Sequence, residues 1–545
     1  MDAFSDYYSA FLDGQYDCVD RIVLNAYYPL GMSPGGFRTW WRALHGTDDD
    51  LDNAHLMRMA GRFGRRARGW AKKNGVPVID CAWGERKHEL AEQYLPTAPR
   101  QAGVFCILVG RAPYPVWDVR RFGTNGIDLR RKKAQPYVNH YSFHIWDRDW
   151  GHVTVKMCGH PPFTAQIILN GHEYVACQAQ KKGLVFSKED NCFTDITDAA
   201  ALGKAADTLR STNAIGRLNQ VCARWVNWAL CLALDVTEQQ KSGFRYQFSI
   251  YQAEYSRNLL FQRGRDLDTL FNGVIDRTRT LLDIPLIKTI FGYRQRPSQR
   301  SGEHPREEVV TETPRYDLTV FKIHAGPLTL KMYSKGERVL RIEVIVHNAG
   351  ALPCGRVLAK FVEIVGRLQS ILERFMQVVR CVDASCLEFD VLETLPTASQ
   401  VGSTRVGGVD WNKPRMRAVL QAVIALAVLP EGITSAAVAA KVRECLACSQ
   451  DEYQPRHASY DLKKLRGKQW IDKIEGTHRY EARAHGLQTM AALLVLRDKI
   501  LKPILAGSTS ARPQRKPKQQ GRLDEHYQVI RAEMQTLMQE LGIAA

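Results

Sequence analysis

The chain has 545 residues and lacks most of the signatures by which a function announces itself. It carries no Walker loop, no dinucleotide-binding glycine fingerprint and no kinase signature. A nucleotide-driven motor is therefore not expected, nor an enzyme built on a nucleotide or organic cofactor. Long apolar runs are missing too. The longest, Ala418–Leu429, is interrupted by Gln421 and is too short to span a bilayer, so it reads as a buried helix. The first residues, MDAFSDYYSAFLDG, are acidic and have neither a basic n-region nor an apolar h-region, unlike a signal peptide. The 13 cysteines are odd in number and scattered. A disulfide framework is not expected, and the chain reads as a reducing, cytoplasmic protein. One CxxC occurs, Cys445 to Cys448, but no second pair follows at zinc-finger spacing, so two cysteines on one buried helix turn is the reading.

Acidic residues are also in short supply. There are 57 Asp and Glu against 75 Lys and Arg, a net charge of +18. With 45% hydrophobic residues the chain is neither disordered nor fibrous, and its length suggests about three or four domains. A folded protein with this surplus of cations points to a polyanionic partner, DNA or structured RNA above all.

The first 200 residues alternate strand-like and helix-like segments. RIVLNAYY at 21–28 is β-rich. Asp52–Lys73 has helical spacing, with Leu56, Met59, Ala60 and Phe63 on one side. VPVIDC at 76–81 and VFCILV at 104–109 read as short buried strands. Tyr141–Trp146 and His152–Met157 form a hairpin candidate around Asp147–Gly151. Phe163–Lys182 is then expected to be a helix. Residues 201–291 form a helical and strand middle region, with an amphipathic helix at Asp266–Phe291. Residues 292–313 are almost without apolar side chains and read as an exposed linker. Residues 314–396 read as a three-stranded meander followed by a long helix, 397–411 as a second linker, 412–507 as a separate unit, and 508–545 as a basic tail with a last amphipathic helix suited to self-association. No tandem repeats stand out. HVTVKM at 152–157 faintly echoes PLTLKM at 327–332, a similarity that two amphipathic strands produce by chance.

Clusters of cations recur along the chain. Arg62, Arg65, Arg66, Arg68, Lys72 and Lys73 share one expected helix with Phe63 and Trp70 interleaved. Arg120, Arg121, Arg130, Arg131, Lys132 and Lys133 bracket a Gly-Thr-Asn-Gly turn, which suggests a basic hairpin. Such groups give salt-dependent, largely sequence-independent affinity for nucleic acid. A solvated helix face is the other reading of the same runs.

Two segments carry family resemblances. In 412–507 a helix at Thr434–Cys445, a short basic helix PRHASYDLKKL at 455–465 and a hairpin DKIEGTHRYEARAHG follow one another. This order resembles a winged helix-turn-helix domain. The resemblance implies that His457, Ser459, Tyr460, Lys463 and Lys464 face DNA, while Arg466, Lys468, His478 and Arg479 meet backbone phosphates. The second segment, LTLKMYSKGERVLRIEVIVH at 328–347, resembles a hairpin of rolling-circle replication initiators and conjugative relaxases. There a Tyr-x-Lys strand precedes an Arg-x-Glu strand; the matching residues are Tyr333, Lys335, Arg341 and Glu343. Carried over, Glu343 holds a divalent metal, magnesium or manganese, and the cations stabilise phosphorane charge. The family's HxH motif is absent; His140 and His144 have a different spacing.

A further candidate for metal-assisted cleavage is Asp80, at the end of a buried strand, with Glu85 and Lys87 after it; a strand leading into a charged helix start is the alternative. Tyr251, Glu254 and Tyr255 place tyrosines beside a carboxylate at a strand end, a possible nucleophile arrangement. Asp17, Asp20, Asp147 and Asp149 are metal-ligand candidates or turn formers. The expectation is thus a mixed α/β (α+β) multidomain core with a C-terminal winged-helix domain. It would serve as a nucleic-acid-binding protein of a bacterial mobile genetic element, a metal-dependent replication initiator, nickase or transposase. The alternative is a non-catalytic RNA- or DNA-binding protein that organises a ribonucleoprotein or regulates transcription.

Overall fold

Two long strands, Leu12–Tyr27 and Gln247–Phe261, pair antiparallel through the middle of the protein. Their sequences are only partly alternating, because the two ends of each strand bury different faces. In this computed structural model the described residues are 8–97, 101–122, 126–189, 191–267, 321–325, 327–352, 354–383, 391–427 and 432–501, with Ser5, His526, Val529, Ile530, Ala532 and Glu533. The two strands are the centre of a ten-stranded mixed sheet. From one edge its order is 321–325, 328–335, 339–346, 247–261, 12–27, 165–170, 151–158, 137–147, 103–113 and 78–80. All the pairings are antiparallel except the last, between 78–80 and 103–113.

The strand order reads the same outward from the centre in both directions. Strand 12–27 is followed, after an insertion, by the meander 137–147, 151–158, 165–170, whose last strand returns to pair with 12–27. Strand 247–261 is followed by the meander 321–325, 328–335, 339–346, whose last strand pairs with 247–261. The two faintly similar stretches fall on the middle strands of these meanders. Lys156 of the first stands opposite Gln166, and Lys331 of the second stands opposite Glu343. The similarity set aside in the sequence therefore marks a topological two-fold. It also joins segments that the sequence divided at 200 and 314, since strands from all three regions share one sheet.

The back of the sheet is apolar and covered by helices. Phe63, on helix Asn53–Lys73, meets Tyr141 edge-on and Phe143 at a tilt, and Trp228, on helix Asn213–Ala233, meets Phe143 edge-on. Helix Phe361–Asp383 packs behind strands 247–261 and 339–346. The front face carries the polar and charged side chains, many of them buried. The run 163–182 is not one helix: Ala165–Asn170 is a strand and Gly171–Lys181 a helix. Pairing on both sides outweighs local helical spacing here, and the Asn170 side chain caps the new helix by accepting the His172 N–H at 2.9 Å. The expected helix at Asp266–Phe291 and the terminal helix at Asp524–Leu541 lie almost wholly outside the described residues.

The C-terminal unit has helices Pro414–Leu426, Ser435–Leu446 and Pro455–Gly467 and a three-stranded sheet ordered 433–434, 479–482, 471–473. Asp461, fully buried, fixes the third helix to the first: Arg415 donates to both its oxygens at 2.9 and 2.8 Å, and Tyr453 Oη donates at 2.9 Å. The segment expected as a linker at 397–411 instead forms a two-stranded hairpin, Ser399–Val401 with Thr404–Val406, lying against helix Pro455–Gly467. Among the described residues no helix is long and apolar enough to cross a membrane.

Candidate functional site

Near the seam between the two halves a cluster of charged side chains gathers on the front face. Its origin is a bulge in strand 12–27. Val19 pairs with Tyr255 and Ile22 with Ala253, so Asp20 and Arg21 together oppose Glu254. The extra residue turns Asp20 inward, where it is buried against Arg341. Arg341 is fully buried and its donors are distributed without waste. Nη2 donates to Asp20 Oδ2 at 2.5 Å, Nε to Glu343 Oε2 at 3.1 Å, and Nη1 to the Asn191 carbonyl at 2.8 Å and to Asn258 Oδ1 at 3.1 Å. A guanidinium out of water is tolerable only when compensated in this way.

Glu343 is also held from the neighbouring strand. Lys331 Nζ donates to its Oε1 at 2.7 Å and Tyr333 Oη to its Oε2 at 3.1 Å. Burial alone would raise its pKa, but Arg341 and Lys331 outweigh that and hold it at about 2. On the other side of Asp20, His172 Nδ1 lies 2.5 Å from Asp20 Oδ1, while burial lowers the imidazole pKa. Helix Gly171–Lys181 can approach this closely only because residue 171 is glycine: a Cβ there would stand 1.6 Å from the Val19 carbonyl oxygen.

Glu254 differs from its neighbours. Half-buried on the same face, it accepts from Gln252 Nε2 at 2.7 Å. Burial first, then the negative charges of Glu343 and Asp20, push its pKa up to about 7. It is a carboxyl group poised to exchange a proton near neutrality, with the Lys331 ammonium, held by Glu343, as its nearby cation. This is the perturbation expected of a general acid or base.

The other sequence candidates fall out differently. Tyr255 points to the back of the sheet and gives its hydroxyl to Asp17 at 2.7 Å, with Arg257 on the same carboxylate. Buried in this way, it does not suit attack on a strand, whereas Tyr251 is exposed. Lys335 reaches Asn191 at 2.5 Å, away from Glu343. Asp80 pairs with Arg68 at 2.5 Å on the surface, Glu85 accepts the Ala82 N–H at 2.7 Å, and Lys87 starts helix Lys87–Glu92 with its ammonium over Gly110. Asp147 forms the hairpin turn, accepting the N–H groups of Asp149 and Trp150 and binding Arg224 and Trp225.

Magnesium or manganese does not fit these residues as arranged. Both Glu343 oxygens are occupied by cations and a hydroxyl. Among the described residues only two sets of three donors converge, Cys18 with Asp20 and His172, and His45 with Asp50 and His55; neither contains Glu343, Asp80 or Glu85.

The cationic clusters are similarly thinned. Arg62 and Arg66 turn inward to Glu238 and Asp235 at the start of helix Val236–Ser242, so they do not join an outer patch. Arg65, Arg68, Lys72 and Lys73 remain exposed. The basic hairpin is present, pairing 117–122 with 126–131, but Arg131 lies 3.9 Å over the Trp117 ring, Arg130 pairs with Asp128, Lys132 with Asp118, and Lys133 is exposed. On helix Pro455–Gly467, His457 caps the helix start by accepting the Gln454 N–H, and Lys468 holds the Thr394 and Thr397 carbonyls. Lys464 lies over the Tyr460 ring. Arg456, Ser459 and Arg466 are exposed and Lys463 half-exposed, spaced to form one stripe. His478 is exposed and Arg479 half-exposed on the adjoining strand pair.

Sequence reasoning missed Lys331, Asn258 and His172, and saw Asp20 and Arg341 without joining them. The available signal was charged or amide side chains at alternate positions in strands that are otherwise apolar. Compared with protein-family models, with curated proteins and with solved structures, the chain finds no match.

Proposed function

We propose that the chain is a nucleic-acid-binding protein of a bacterial mobile genetic element, of replication-initiator, nickase or transposase type, whose C-terminal unit acts as a winged helix. The observation that carries this reading is the stripe Arg456, Ser459, Lys463 and Arg466. It lies on the second helix of a pair, opposite the side fixed by Asp461, with a strand pair bearing His478 and Arg479 next in the chain. A rigid helix with one apolar side locked and one cationic side open suits a groove lined by phosphates. The hairpin 399–406 beside Tyr460 and Gly467 narrows that surface relative to the full helix.

The test is fluorescence anisotropy on duplex DNA, single-stranded DNA and structured RNA across a salt series. Lys463→Ala and Arg466→Ala should each reduce the salt slope by roughly 1. Absence of salt-dependent binding to any of these ligands would sink the proposal. Preference for a structured RNA over DNA would replace DNA reading with the ribonucleoprotein alternative.

Strand cleavage is a second reading, favoured by Glu254. It would take a proton from the attacking group, with the partly exposed Lys331 stabilising charge at phosphorus. Nicking of supercoiled plasmid and of single strands, with and without Mg²⁺ or Mn²⁺, should show activity that rises through pH 7 and is lost in Glu254→Gln. Equal activity in that variant would remove Glu254 from the chemistry.

A further inference from the structure

A second cluster lies outside the sheet seam, where helix Pro34–His45 gives way to helix Asn53–Lys73. His45 is the last residue of the first helix, His55 sits in the first turn of the second, and Asp50 belongs to the loop between them. One donor atom from each lies within 4.8 Å of the other two. Asp50 Oδ2 is 3.6 Å from His45 Nδ1 and 3.3 Å from His55 Nδ1. In a tetrahedral zinc site with bonds of about 2.0–2.2 Å, neighbouring ligand atoms stand roughly 3.3–3.5 Å apart. Both edges that meet at Asp50 are therefore close to those of a coordination polyhedron.

The surroundings orient the donors. Trp41 Nε1 donates to Asp50 Oδ1 at 2.7 Å, which fixes the carboxylate and leaves Oδ2 toward the imidazoles. The His45 ring stacks on Trp41 at 4.3 Å and 24°, and the His55 ring meets Trp41 edge-on at 4.8 Å. Asp52 caps the second helix through the His55 N–H at 2.6 Å, so the backbone at His55 is held as well. Arg121 donates to the Asp49 and Leu51 carbonyls, pinning the loop from outside. The buried His45 Nε2 and His55 Nδ1 make no hydrogen bond. A hydrogen-bonded role thus leaves these rings under-used, whereas a cation would engage the His55 nitrogen directly.

We propose that His45, Asp50 and His55 bind one divalent transition-metal ion of the zinc class, with the fourth position open to water, clipping the two helices together. Two nitrogens and one carboxylate oxygen suit zinc better than magnesium or calcium, which prefer all-oxygen sites. The buried set Cys18, Asp20 and His172 is a poorer candidate, because Asp20 already serves Arg341 and burial holds the Cys18 thiol protonated.

The test uses the full chain stripped with a chelator and then titrated with Zn²⁺ alone, bound metal being measured after gel filtration. Asp50→Asn keeps the acceptor for Trp41 and removes the charge; His55→Gln removes an imidazole. The wild-type chain should retain one more equivalent of zinc than either variant. Each substitution should weaken binding by more than the roughly 10–100-fold that loss of an outer partner costs. Co²⁺ in place of Zn²⁺ should give tetrahedral visible bands in the wild type alone, and zinc should raise its melting temperature but not theirs. Circular dichroism checks that the variants fold; should one unfold, the other decides. Equal zinc stoichiometry and affinity in a folded variant, or no zinc uptake by the wild type, would overturn the proposal.

Discussion

The two halves of the central sheet share a strand order but not a chemistry. On the front of the first half stand His140, Ser142, His144, Lys156 and Gln166, without a carboxylate. On the second stand Lys331, Tyr333, Arg341 and Glu343, with Glu254 and Asp20 beside them at the seam. Opposite Lys156 is an amide and opposite Lys331 a carboxylate. The polar hairpin around Asn191 supplies partners to Arg341 and Lys335 over the second half. The bulge at Asp20 turns an acid toward Arg341. A repeated backbone thus offers two equivalent surfaces, and a bulge and an overlying turn concentrate buried charge on one of them.

The largest effect expected from breaking this asymmetry is at Arg341. Arg341→Met leaves Asp20 and Glu343 buried without their shared cation and should cost about 3–5 kcal/mol in urea unfolding. Lys156→Met, at the middle of the other half, should cost less than about 1 kcal/mol, since its strand neighbours are neutral and it is partly exposed. Equal losses would mean that the two halves are energetically alike.

The second effect is a pair of opposite pH responses. Glu254 has a folded pKa of about 7, above its unfolded value of about 4.3. Between those values the folded chain binds the extra proton, so stability falls as pH rises and levels off above 7, by on the order of 3 kcal/mol. Glu254→Gln should remove that slope and raise the melting temperature at pH 8. In the first half burial lowers His140 to about 4 and His144 to about 3. Their unfolded forms take up protons below about 6.5, so here stability falls as pH drops toward 4. His144→Gln should flatten that acid limb without affecting the neutral one. Melting curves from pH 4 to 8 on the two variants separate the halves, and a single shared slope would refute the division.

The smallest effect is an attempt to equalise them. Gln166→Glu places a carboxylate opposite Lys156, copying the Lys331–Glu343 pair. It also removes the donor that Gln166 gives Asn25 at 2.9 Å. The net change should be within about 1 kcal/mol, because a half-exposed pair gains little. A large stabilisation would show that position alone, and not the surrounding burial, sets the strength of the second-half pair.

Much of the local structure was legible in the residues. The hairpin at Tyr141–Met157, the meander at 321–346, helix Asn53–Lys73 and the helix–helix–hairpin order of the C-terminal unit all follow from period and turn chemistry. The strand at Ala165–Asn170 was not legible, because AQIIL suits a helix as well as a strand until neighbours are known. Arg62 and Arg66 look like a nucleic-acid patch on a helical wheel; their acids, Glu238 and Asp235, lie more than 160 residues away. Lys468 likewise reads as a phosphate contact until the Thr394–Thr397 carbonyls are seen around it.

The sequence by itself determined the net charge, the absence of nucleotide-binding loops, the period of most elements and the presence of Tyr333, Arg341 and Glu343 on two paired strands. Tertiary structure decided that these strands extend the same sheet as residues 12–27, that Asp20 meets Arg341 across 321 positions, and that burial beside other carboxylates pushes the Glu254 pKa up to about 7. The physical reason is the range of the forces involved. Periodicity and turn preference act within a few residues, whereas desolvation and the sharing of one guanidinium among several acceptors depend on what the fold brings into contact.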